Sequence, residues 1–307
     1  MRLHVRARAN GMNNGARVHL GRLGVWTWAD GYDRTELLAF ARKLEGWGYG
    51  ALWTPESVGR DPFAVITFLA AQTERLVFAT GIANIYARDA MTMKAIHHSL
   101  SEFFPKRFVL GLGVSHQHLV SKLRGHEYKK PVPAMREYLE AMDKALYAGA
   151  KPAELAPIVL AALRDPMLKL AGKVARGAHP YLVTPEHTQR ARSVLGSDSW
   201  LCPEQKVLRE TDPAKARAVG RTVLKVYTRL PNYQDNLRNF GFGDDDFAEG
   251  GSDRLVDALV AWGDEGQISE RIEAHFKAGA DHVCIQPLRP DGKPGPDLEL
   301  LETLAPE

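Results

Sequence analysis

Short apolar runs alternate with longer amphipathic stretches along most of this chain, and that alternation constrains the fold more than any other feature. Leu23 to Trp28 is β-rich, and Arg34 to Trp47 carries Leu37, Leu38, Ala41, Leu44 and Trp47 at helical spacing. The unit then repeats. Gly50 to Trp53 predicts a buried strand, the polar loop TPESVGRD follows, and Pro62 suits the first turn of a helix. Leu76 to Thr80 and Phe108 to Leu112 predict two more strands, with a helix over Met91 to Phe104 between them. Strands separated by helices in this way are parallel and joined by crossovers.

The second half continues the rhythm with candidate strands at Ile158 to Ala162, His179 to Val183, Leu201 to Val207 and His282 to Ile285. Helices fit at Pro166 to Val174, Pro185 to Leu195, Pro213 to Leu230 and Ser269 to Ala278. Eight strands is the barrel number, and 307 residues, 45% of them hydrophobic, supply its core. A doubly wound open sheet would place a GxGxxG turn after its first strand, where this chain reads WTWADGYDR. The expected class is therefore α/β, a (β/α)8 TIM barrel with insertions. Tyr233 to Gly251, polar, acidic and glycine-rich, breaks the rhythm ahead of Leu255 to Trp262 and predicts a surface insertion near the barrel mouth. Residues 1–20 are expected to be a disordered extension, leaving 21–307 as one domain.

Composition removes several function classes. A net charge of +3 gives no electrostatic footprint for nucleic acid. No apolar run reaches membrane length, and the basic start lacks the apolar segment of a signal peptide. Cys202 and Cys284, far apart in apolar surroundings, fit a reduced core rather than a disulfide or zinc site, so a cytoplasmic location is expected.

Barrel chemistry sits at the carboxyl ends of the strands. After the first four strands come Trp28 and Asp30; Glu56, Arg60 and Asp61; Gly81, Asn84, Tyr86 and Arg88; and Ser115 and His116. The stretch FATGIANIYARDA leaves an apolar strand through small residues into an asparagine, an aromatic and an arginine, as a ring-binding edge would. In FVLGLGVSHQH, Gly111 and Gly113 clear one strand face, either for a bulky ligand or to relieve packing inside the barrel.

The ordered set LGVWTW, YGALWTPESVGRDPF, ATGIANIYARDA, LGLGVSH and PAMREYLEAM resembles the luciferase-like monooxygenase superfamily, and within it the branch that uses the deazaflavin coenzyme F420. The resemblance runs from about Gly21 to the end and is strongest up to Gly149. It implies a cofactor lying across the strand ends and a cis peptide in a bulge at Thr80, Gly81 and Ile82 that buttresses its ring. By the same resemblance the ring lies beside Gly81, Ile82, Asn84, Gly113 and Ser115, with Trp28, Thr80, Tyr86 and Gly111 around it. The phosphate-bearing tail runs toward Gly177, Ala178 and His179, with Arg136 or Arg88 as charge partner. Where many relatives carry an Asp-His pair after the second strand, this chain has Pro55 and Glu56, which makes Glu56 the candidate catalytic acid or, equally, a group that hydrogen-bonds the cofactor.

The activity so implied is hydride transfer between F420 and a small organic substrate in a homodimer. Trp28, Trp53 and Tyr86 are candidate substrate walls, and the acidic insertion is a candidate lid. The same barrel with FMN would be a two-component monooxygenase taking reduced flavin from a reductase partner; a flavin or F420 reductase is the expected cofactor supplier. Two other readings stay open. His116 and His118, with His97, His98 and His126 nearby, could serve a metal-dependent hydrolase, and the altered Pro55–Glu56 pair could mark a binding protein without turnover.

Overall fold

The computed structural model describes residues 17–28 and 30–306. Its strands are β1 (Leu23–Trp26), β2 (Ala51–Thr54), β3 (Val77–Thr80), β4 (Ala83–Asn84), β5 (Phe108–Gly113), β6 (Ile158–Leu160), β7 (Gly177–Ala178), β8 (Trp200–Leu201), β9 (Glu204–Arg209), β10 (Val260–Gly263) and β11 (Val283–Leu288). Pairing runs β1-β2-β3-β5-β6-β7-β8 on one side and β1-β11-β9-β10 on the other, parallel throughout.

The barrel closes through a broken strand. Pro203 interrupts the segment that holds β8 and β9, because proline has no N–H for the ladder. Its carbonyl still accepts from Cys284 N, and Leu201 O accepts from Asp281 N, both at 2.9 Å. One continuous segment thus pairs β7 at its start and β11 along its length. Counted once, it brings the ring to eight staves, as the alternation predicts. β10 is an addition on the outer flank of β9, and β4 extends the ladder of β5 past the end of β3.

Local chemistry starts the helices where the sequence places them. Asp33, Asp61, Asp89, Asp212 and Asp264 each cap a helix by accepting backbone N–H groups, with capping boxes to Glu36 and Gln267. Prolines occupy the first turns at Pro62, Pro131, Pro185, Pro213 and Pro231. Inside the barrel, Trp26, Ala51, Trp53, Val77, Ala79, Val109, Val159, Cys202 and Cys284 form one apolar cluster; a larger cluster joins strands to helices. Both cysteines are fully buried, and burial pushes their thiols up, so they are inert core.

Four expectations change. His179–Val183 is not a strand: β7 stops at Ala178, Pro180 cannot donate, and Leu182 has a φ of 60°. The helix expected over Pro213 to Leu230 stops at Leu224; after the insertion, Asp253–Leu259 forms a further helix that runs directly into β10. The insertion is not a loop but three short helical segments around a core of Tyr233, Leu237, Phe242 and Phe247. Of the expected extension, residues 1–16 lie outside the described residues; of the remaining four, Val18 and Leu20 are buried in the barrel's inner cluster and so belong to the domain.

Candidate functional site

A cavity of about 550 Å³ opens at the carboxyl ends of the strands. One side is the bulge between β3 and β4, where the Gly81–Ile82 peptide is cis. Three hydrogen bonds pin that bulge: Trp26 Nε1–H donates to Gly81 O at 2.8 Å, Gly81 N to Thr54 O at 2.9 Å, and Glu56 N to Ile82 O at 3.3 Å. A Cβ on Gly81 would come within 2.8 Å of Trp26 Nε1, so only glycine lets the indole reach the carbonyl.

Glu56 lines the cavity, yet both its oxygens are engaged. Oε1 meets Arg88 Nη1 at 2.7 Å, and Oε2 accepts from Asn84 N at 2.8 Å. Arg88 also pairs with Asp61 and lies 4.8 Å from the Phe63 ring centroid. The carboxylate therefore ties the end of β2 to the bulge, and Arg88, expected as a partner for a cofactor phosphate, is already neutralised by two carboxylates.

The other expected residues divide. Trp28, Gly81, Ile82, Ser115 and His179 line the cavity with Glu56. Thr80, Gly111, Gly177 and Ala178 do not, for they hold strands together. Thr80 Oγ1 donates to Gly111 O and accepts from Gly111 N; a Cβ on Gly111 would sit 1.9 Å from Thr80 O, and one on Gly177 2.0 Å from Trp200 O. The face cleared by Gly113 is filled by Ile82, whose Cδ1 would be 2.4 Å from an added Cβ. Asn84 is buried behind the bulge, where its Oδ1 accepts from Tyr86 N. Tyr86 faces a separate groove, with its hydroxyl accepting from Lys129 N, and Trp53 lies wholly inside the barrel. Arg136 is not among the cavity residues.

His179 belongs to the cavity floor beside Gly81 rather than to a phosphate subsite. Its ring stacks on Trp53 with centroids 4.4 Å apart, its Nδ1 lies 2.7 Å from Cys202 O, and burial lowers its pKa to about 4.

The sequence reading missed two walls. Ala161, Ala162, Leu163 and Arg164, just past β6, form one; the rule applied to the first four strand ends would have found them at the fifth. Tyr181, Tyr227 and Tyr233 form the other. The hydroxyls of Tyr181 and Tyr227 are 2.8 Å apart, and Tyr181 donates to Gln286 Oε1 at 3.0 Å. Burial raises all three phenols, Tyr227 to about 12, so they remain neutral at physiological pH. Beneath them the fully buried pair Glu204–Lys206 meets at 3.0 Å, with Lys206 Nζ 4.0 Å from the Tyr181 ring centroid. Arg164, half exposed at the mouth, is only loosely held by Asp235 and Asn232, each at 3.4 Å. Among the described residues no group of three or more His, Cys, Asp or Glu side chains could hold a metal ion, and no helix is long and apolar enough to cross a membrane.

Known proteins resemble this chain in sequence and in fold. A 5,10-methylenetetrahydromethanopterin reductase of Methanolobus tindarius is 30% identical over 155 residues, which cover 45% of this chain and 47% of that one; the match thus spans about half of the relative. The solved structure of a coenzyme F420-dependent tetrahydromethanopterin reductase from Methanopyrus kandleri superposes with a TM-score of 0.70 at 18% identity, covering 92% of this chain and 97% of the other. The oxygenating constituent of 3,6-diketocamphane monooxygenase from Pseudomonas putida, solved with FMN, gives 0.66 at 15% identity over 92% and 97%. Those two likenesses concern the fold. A model of the luciferase-like monooxygenase family matches residues 16–195, and the chain belongs to that family.

Proposed function

We propose that this protein is an oxidoreductase that binds the deazaflavin F420 in the cavity and serves hydride transfer to or from a small organic substrate. The observation that carries the reading is a largely apolar cavity at the strand ends, with the bulge at Gly81 and Ile82, pinned by Trp26, as one side. The residues present fit such a cofactor. Gly81, Ala161 and Ala162 leave room for a flat ring, and Arg164 offers the mouth a positive charge for a phosphate. F420, when bound, supplies a ring carbon that carries hydride.

The protein's own contribution is positioning and exclusion of water. Ile82 backs the ring position, and Val226, Leu230 and Tyr233 close the rim with apolar surface. Tyr181 gives its proton to Gln286 and takes that of Tyr227, so the Tyr227 oxygen is placed to accept a hydrogen bond from a substrate hydroxyl. Glu56 holds the bulge through Arg88 and Asn84 and has no free oxygen with which to act as an acid.

FMN is the second reading, favoured by the neighbour solved with that flavin; it would make a reductase partner the source of reduced flavin. Equilibrium titration with oxidised F420 and separately with FMN, followed by fluorescence, tests the choice. Tighter binding of F420 supports the hydride-transfer enzyme, tighter binding of FMN the monooxygenase, and binding of neither refutes both.

A further inference from the structure

His179 in the cavity lining has a ring nitrogen that nothing among the described residues uses. His179 is 1% exposed, and its Nε2 is buried without a hydrogen-bond partner among the described residues. The other ring nitrogen fixes what Nε2 must be. Cys202 O can only accept, so Nδ1 carries the hydrogen in that 2.7 Å contact, and Nε2 is left with a lone pair.

The ring cannot turn away from that task. It stacks on Trp53, whose Nε1–H donates to His282 Nε2 at 3.1 Å, and His282 Nδ1 in turn donates to Gly21 O at 2.9 Å. Rotating His179 would break both the stack and the Cys202 contact. The titratable groups packed around it are His282, Cys202, Cys284 and Tyr181; burial keeps all four neutral, so none can donate a charge-assisted bond to it.

Its surroundings contain a donor, but that donor is taken. A Cβ on Gly81 would lie 3.2 Å from His179 Nε2 and 2.8 Å from Trp26 Nε1, which places both nitrogens beside the bulge. The Trp26 N–H is spent on Gly81 O. An unpaired buried acceptor of this kind is destabilising while it stays unsatisfied, and an apolar side chain of similar size would avoid the cost.

We propose that His179 Nε2 is the acceptor for an N–H or O–H group of the molecule bound in the cavity. The inference rests on the proposed function, for two donors would suit it: an imide N–H of the cofactor ring, or the hydroxyl of an alcohol substrate. Either would be fixed beside the Gly81–Ile82 bulge by one directional hydrogen bond.

The test uses the whole protein labelled with nitrogen-15 in its histidines, with His179 assigned by comparison with His179→Gln. The nitrogen resonances of His179 are followed by NMR while oxidised F420, FMN and cyclohexanol are added in separate arms, and F420 binding is read in parallel by fluorescence. A move of Nε2 with F420 or FMN identifies a ring donor; a move with cyclohexanol alone identifies the substrate, and it supports the inference even if neither cofactor binds. In the ring-donor case His179→Leu, which leaves no acceptor, weakens cofactor affinity by about tenfold or more, as loss of one buried hydrogen bond requires. If F420 binds and Nε2 stays where it was in all three arms, the inference is overturned while the functional reading survives. If nothing moves and nothing binds, both fall. The wild-type NMR arms decide the matter even if the variant folds poorly.

Discussion

Replacing Glu56 by glutamine separates an anchoring role from an acid role. The side chain is 6% exposed and Arg88 12%, so neither can turn to water when the pair is disturbed. A carboxylate accepts from Arg88 and from Asn84 N at once; an amide has one oxygen and would present N–H groups to the other donor. One buried donor then loses its partner, at roughly 1–3 kcal/mol. Breaking a buried ion pair outright costs about 3–5 kcal/mol, but Arg88 retains Asp61, which limits the loss. The expected destabilisation is about 2–3 kcal/mol. For a chain of this size that is a fall in Tm of roughly 3–5 °C. Thermal unfolding followed by circular dichroism reads it directly. The double variant Glu56→Gln/Arg88→Met should cost clearly less than the two singles added together, because both remove the same contact. Glu56→Gln melting within about 1 °C of the parent while abolishing turnover would refute the reasoning and restore Glu56 as the proton donor.

Acid should unfold the protein through its histidines. His97, His179, His187 and His282 have pKa values lowered to about 4 and His275 to about 3, in every case first by burial. Their unfolded values lie near 6.5, so the unfolded chain binds protons first. The stability they contribute is complete above about pH 6.5 and is lost as pH falls toward 4, at up to about 1.4 kcal/mol per pH unit for each. Five such groups can consume a whole stability of about 5–15 kcal/mol near pH 5, and denaturant titrations that stay flat from pH 7 to pH 5 would contradict this. Gly111→Ala should prevent correct folding, since its Cβ would lie 1.9 Å from Thr80 O, whereas Gly31→Ala, with nothing within 4 Å, should express and melt normally. Trp26→Phe removes the donor to Gly81 O; it should lower stability by about 1–2 kcal/mol and weaken F420 binding in the same fluorescence titration.

Most of the barrel was legible because its signals are local. Apolar runs, aspartate caps and first-turn prolines act within a few residues, and they locate the first four strands to within two or three positions. Closure was not local. Whether Leu201 to Val207 is one strand or two depends on Pro203 lying between partners some 80 residues away in the chain, and no window of sequence contains Cys284 and Pro203 together. The insertion misled for a related reason. Asp235, Asp244, Asp245 and Glu249 are exposed, while Tyr233, Leu237, Phe242 and Phe247, spaced too irregularly to show a period, meet one another only after folding.

The site was harder to read, because a strand end shows which residues are near the mouth but not what they do there. Gly111 and Gly113 illustrate the limit: both clear a strand face, yet one admits the carbonyl of Thr80 and the other the side chain of Ile82. Glu56 and Arg88 were rightly drawn to one rim and then spend their charges on each other. His179 is the converse. The resemblance placed it with Gly177 and Ala178 beside a phosphate-bearing tail, but β7 ends at Ala178, one residue before it, and its Nδ1 is drawn to the strand segment that closes the barrel. Barrel closure therefore directs the imidazole toward the bulge. The residue's chemistry follows from the least local feature of the fold, and an acceptor at the cavity floor becomes visible only once Cys202, Trp53 and Gly81 are brought around it.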